Sequence, residues 1–106
     1  MDRTQAINDA YCRAVAARMD AGEVARVLAK ARANLATMRR NATASSAYFE
    51  PWERILDDPE AIRRVLTAET DAAAAMRRYH PFAGAIPECQ RQQIVREAYR
   101  GEPPAA

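Results

Sequence analysis

"EVARVLAKARANLATMRR", residues 23–40, is the stretch on which the reading of the fold turns. Val24, Leu28, Ala31, Leu35 and Met38 recur at alternating steps of four and three, which places them on one face of an α-helix, and the residues between them are mostly good helix formers. The seam is of the kind that zips antiparallel helices together. Two heptads are too few for a free-standing coiled coil, so the seam is expected to pack on a neighbouring helix of the same domain, with self-association through it as the alternative.

Helical signals continue on both sides of this segment. Upstream, Thr4 is positioned to cap a first helix running to about Met19, with Ile7, Tyr11, Ala14, Val15 and Met19 on one face, and "DAG" at residues 20–22 stops it. Downstream, "NATASS" at 41–46 reads as a small polar loop. It is followed by "AYFEPWERILDD" at 47–58, where Tyr48, Phe49, Trp52, Ile55 and Leu56 form the densest aromatic cluster of the chain. Pro51 either occupies the first turn of a helix starting near Glu50 or kinks a longer one. "DDPEAIRRVLTA" at 57–68 carries a start signal, with Asp58 as N-cap, Pro59 at the first helical position and Glu60 in the first turn. An alanine-rich helix is expected over 71–79. His80 precedes Pro81 and is steered away from helical backbone, so "HPFAGAIPE" at 80–88 reads as a connector anchored by Phe82 and Ile86, before a last helix ending near Arg100.

The fold expected from this pattern is all-α, a single-domain bundle of five or six helices with short connections over residues 1–100, followed by a frayed "GEPPAA" tail at 101–106. A chain of 106 residues supports one core and not two. Although 49% of its residues are hydrophobic, alanine buries little area. The core therefore has to rest on a short list of large side chains that includes Phe49, Trp52, Ile62, Leu66 and Phe82.

Composition narrows the function classes. Lys30 is the only lysine, and heavy use of Ala and Arg together points to a GC-rich genome rather than to a role. The net charge of +2 is too small to argue for nucleic acid on its own. Two distant cysteines, Cys12 and Cys89, suit a reducing cytoplasm and idle thiols, and with His80 as the single histidine no metal site is expected. No apolar run approaches a membrane span. Catalysis and cofactor binding are not expected either. There is no phosphate-cradling glycine loop, and the acidic pairs Asp57/Asp58 and Glu50/Glu53 read as helix faces or caps.

Charge is unevenly distributed. Residues 23–40 hold Arg26, Lys30, Arg32, Arg39 and Arg40 against Glu23, whereas the next stretch holds Glu50, Glu53, Asp57, Asp58 and Glu60 against Arg54. If the two segments lie side by side, they neutralise each other. If they do not, Arg26, Lys30, Arg39 and Arg40 form a basic face that would suit a small DNA-binding regulator. Against that alternative, no helix pair carries the turn and polar reading residues of a helix-turn-helix. A protein partner is the favoured ligand. Phe49, Trp52, Arg77, Arg78, Tyr79 and Phe82 are the candidate anchors, because aromatic residues and arginine dominate interface hot spots. For Arg77, Arg78 and Tyr79 the reading that carries more weight has the arginines capping the C-terminus of their helix and the tyrosine packing.

"ANLATMRRNA", "YFEPWERILDDP" and "VLTAETDAAAAMRRYHPFAGAIPECQRQQIVREA" together resemble a group of small helical proteins from GC-rich bacteria. In that group an N-L-x-x-M-R helix, a tryptophan helix and an L-R…P-F-A-G turn before a last helix occur in this order. The resemblance spans Ala33 to Ala98, and "PFAG" is its most specific element. His80, Pro51 and "AIPECQ" depart from the pattern. The resemblance implies an antitoxin-like partner of a toxin, with nucleotidyltransferase toxins as one candidate class, acting by direct complex formation.

Overall fold

The computed structural model describes residues 2–41 and 46–100. Every regular element among them is helical. The first helix, α1, runs Arg3–Arg18. Its cap is Asp2 and not Thr4: the Asp2 backbone is extended, and its carboxylate accepts from the Gln5 N–H at 2.7 Å. Thr4 lies inside the first turn, and a carboxylate one residue earlier both satisfies an orphan donor and adds a negative charge at the positive end of the dipole. The expected stop holds. A wide turn over Met19–Glu23 takes the chain into α2, Val24–Arg40, through Gly22 at φ 95°, a left-handed conformation that glycine adopts without steric cost.

Beyond the loop, of which residues 42–45 lie outside the described part, a single 3₁₀ turn at Ser46–Tyr48 precedes α3, Glu50–Ile55. Pro51 sits in the first turn of α3 and kinks nothing. Then comes α4, Pro59–Thr67, with Asp58 accepting from the Ala61 N–H at 3.1 Å as its sequence signal requires. Thr70 caps α5, Asp71–Arg77, which ends two residues earlier than expected: Arg78 and Tyr79 form the closing turn. The last helix, α6, spans Glu88–Arg100. The expected frayed tail at 101–106 lies outside the described residues.

Side chains from α1 (Tyr11, Cys12, Val15), α2 (Val27, Leu28, Ala31, Leu35), α3 (Trp52), α4 (Ile62, Leu66) and the connector (Phe82, Ala85, Ile86) meet in one hydrophobic cluster among the described residues. The seam of α2 is thus used within the domain. Leu28, Ala31 and Leu35 are buried, while Val24 and Met38 pack half-buried at the cluster's edge.

Candidate functional site

Four of the six anchor candidates turn out to be interior residues. Trp52 is 1% exposed and Phe82 is fully buried, the two rings meeting edge to face with centroids 5.3 Å apart. The Trp52 indole N–H donates to the Met76 carbonyl at 2.9 Å, so the buried ring leaves no polar atom unpaired. Phe49 is buried under the Arg39 guanidinium, 5.2 Å from the ring centre.

Arg77, also buried, is a structural clamp. Its Nε donates to Asp9 Oδ1 on α1 at 2.9 Å, and its Nη1 donates to the Val65 and Ala68 carbonyls at 2.7 and 2.8 Å. Arginine does cap a helix end here, but the end belongs to α4 rather than to its own helix. Burying a charge pair costs hydration that only close geometry and further hydrogen bonds offset, and the planar guanidinium meets three acceptors at once. Phe49, Trp52, Arg77 and Phe82 therefore offer no surface to a partner in this fold.

The expected basic face is largely occupied as well. Arg26, Lys30 and Asn34 recur every four residues along α2, and that stripe holds the connector. Arg26 Nη2 donates to the Ala85 carbonyl, and Asn34 Nδ2 donates to the Pro81 and Ala83 carbonyls at 2.8 and 2.9 Å. The Lys30 stem lies against Gly84, where a Cβ would come within 2.6 Å of Lys30 Cε; at φ 80° that residue also requires glycine. Arg32 pairs with Asp57 at 2.8 Å, Arg39 Nε meets Glu53 at 3.2 Å, and Arg40 donates to the Thr37 hydroxyl at 3.1 Å. Two ion pairs, Arg32–Asp57 and Arg39–Glu53, thus join the basic helix to the acidic segment after it.

From α1, the Tyr11 hydroxyl donates to the Phe82 carbonyl at 2.7 Å, and the Tyr11 ring stacks on His80 at 5.1 Å. His80 Nδ1 accepts the Phe82 N–H at 3.1 Å, and burial pulls the ring's pKa down to about 4. Burial likewise pushes the Cys12 thiol up to about 12, which keeps it protonated and unreactive. Cys12 and Cys89 are both free thiols. No cluster of three or more His, Cys, Asp and Glu side chains suited to a metal occurs among the described residues.

What remains exposed is Arg78 and Tyr79, at the rim of a groove of about 820 Å³ between the N-terminal half of α1 and the outer face of α5. Thr4, Gln5 and Asn8 form one wall, and Ala74, Ala75 and Met76 form the other. Tyr48 and Tyr79 close one side as a stacked pair 4.2 Å apart, with 43% and 38% of their surfaces exposed. Asp2 and Asp71 also line the groove. Arg77 and Arg78 separate because successive helical residues point about 100° apart, so one turns toward α1 and α4 while the other turns outward. Tyr48 was legible only as part of an aromatic cluster, and its outward position depends on the turn that precedes α3.

An aromatic stack, an exposed guanidinium and two carboxylates along one groove are suited to recognising a polypeptide surface, through flat apolar contact and directed ionic bonds. Compared with models of protein families, with curated proteins and with solved structures, the chain finds no match. Among the described residues no helix is long and apolar enough to cross a membrane.

Proposed function

We propose that this chain is a protein-binding inhibitor of antitoxin type, which neutralises a cognate toxin in the cytoplasm by direct complex formation through the groove between α1 and α5. The observation that supports binding is the stacked Tyr48–Tyr79 pair, exposed beside Arg78, in a fold that buries Trp52, Phe49 and Phe82. Tyrosine and arginine are the residue types on which interface energies concentrate, and neither tyrosine of the pair belongs to the hydrophobic cluster. The inhibitory role and the toxin rest on the resemblance of residues 33–98 to antitoxin-like proteins. Covering the toxin's active site is the simplest mechanism for a small rigid bundle, since an interface of the usual size takes about 800 Å² from each partner.

The test is to co-express the chain with the reading frames adjacent to its gene, purify it by affinity, and score growth. The expected result is a stoichiometric protein partner whose toxicity the chain relieves, with Tyr79→Ala and Arg78→Glu each weakening the complex by about 2 kcal/mol, roughly 30-fold in Kd. Recovery of nucleic acid alone, or full-strength binding by both variants with an unchanged helical spectrum, overturns the proposal.

A further inference from the structure

The outer face of α5 carries an inference about the chain alone, which does not rest on the partner proposed above. In "TDAAAAMRR", residues 70–78, Ala73 and Arg77 turn into the fold, while Asp71, Ala72, Ala75 and Arg78 are exposed, as is Tyr79 after them. Asp71, Ala75 and Arg78 follow one another at steps of four and three, and the backbone of Arg78 is still helical, so the three form a single stripe. The stripe reads acid, alanine, base.

Its charged ends are not used within the domain. Arg32, Arg39, Arg63 and Arg91 pair with Asp57, Glu53, Asp20 and Glu88, whereas neither Asp71 nor Arg78 forms an ion pair among the described residues. The dipole of α5 accounts for their signs, the acid at its start and the base in its closing turn. Between them, the exposed Ala75 leaves only a methyl group over the helix backbone.

A stripe of this order is complementary to itself. When two such helices lie antiparallel, Asp71 of each falls beside Arg78 of the other, giving one ion pair about 5 Å to either side of a twofold axis that passes near Ala74 and Ala75. Alanine at the axis lets the backbones approach to about 8 Å, the short end of helix packing distances, and opposite dipole ends come together. A parallel pair instead sets Asp71 on Asp71 and Arg78 on Arg78, so the charges select the orientation.

We propose that a second copy of this chain docks on the outer face of α5, with the two α5 helices antiparallel in an isologous contact. The contact is small. A seven-residue helix flanked by Tyr48 and Tyr79 offers less than the about 800 Å² per partner of a standard interface, so the pairing is weak and fills with concentration. It covers Arg78 and Tyr79 at the rim of the groove, and therefore competes with any other protein that binds there.

Sedimentation equilibrium of the full-length chain tests this, with the helical spectrum as a control on folding. The native chain is expected to dimerise with a Kd of roughly 10 to 100 μM. Asp71→Arg presents two bases and Arg78→Asp two acids; because symmetry makes each substitution act twice, each alone is expected to weaken the dimer by about tenfold or more. An equimolar mixture of these two variants is complementary again and is expected to pair within about threefold of the native chain. Ala75→Glu, which sets two carboxylates at the axis and leaves both helix ends intact, serves as a further disrupting variant. A chain that stays monomeric at about 500 μM, a dimer indifferent to all three substitutions, or a mixture no tighter than its components overturns the inference.

Discussion

The connector at residues 80–87 and the helix that follows it are neighbours in sequence and opposites in attachment. The connector has no repeating backbone structure, yet Pro81, Phe82, Ala85 and Ile86 are buried in it, and side chains from α1 and α2 bond the carbonyls of Pro81, Phe82, Ala83 and Ala85. In contrast, α6 satisfies its backbone by itself and buries no residue. The difference teaches that order in this fold follows from anchored apolar side chains and externally paired carbonyls rather than from regular secondary structure. A loop whose polar groups are met by other elements can be more firmly held than a helix that needs nothing from its neighbours.

The contrast is broken most severely at Phe82. Phe82→Ala removes a fully buried ring from the cluster and is expected to destabilise the chain by about 3–5 kcal/mol, read as a fall in the urea midpoint. Next comes acid. His80 has a folded pKa near 4, against about 6.5 in the unfolded chain, so the unfolded state takes up the proton first. The stability due to neutral His80 is complete above pH 6.5, is lost as pH falls from 6.5 toward 4, and reaches a loss of up to about 3 kcal/mol. Urea titrations between pH 7.5 and 5.5 should show this slope in the native chain and none in His80→Phe, because carboxylates titrate lower.

Smaller effects sharpen the comparison. Gly84→Ala forces a side chain into left-handed backbone against Lys30 and is expected to cost about 1–2 kcal/mol, measured by thermal melting. At the other extreme, Tyr99→Ala removes the ring beneath Arg3 and should cost less than about 1 kcal/mol in global stability while speeding exchange of the α6 amides alone. Equal stability losses from Gly84→Ala and Tyr99→Ala would erase the distinction between the two regions.

Much of this architecture was legible in the residues, because its signals are local. Asp58 and Pro59 opening α4, Gly22 ending the first helix pair's turn and Pro51 in the first turn of α3 are all decided within a few positions of chain. The alternating seam of α2 likewise identified the face that enters the core. The candidate site was less legible. Nothing near Arg77 distinguishes it from Arg78, since the carboxylate that draws it inward, Asp9, is 68 residues away. Trp52, Phe49 and Phe82 fit a core and an interface equally well by composition, and only the packing of α1, α2 and α4 around them selects the core. The first cap lies at Asp2, two residues before Thr4, and local sequence does not separate them because both are competent caps.

Trp52 is the single tryptophan, sealed in the core against Phe82 with its indole N–H on a backbone carbonyl. The intrinsic fluorescence of the protein is therefore a spectroscopic view of one place: blue-shifted while the connector is seated, red-shifted when water reaches it. Because α6 contributes no buried residue to the core cluster, its loss is expected to change circular dichroism more than the emission. A melt followed by both signals compares the two, and the gap between the curves is itself a reading of how independently the last helix behaves.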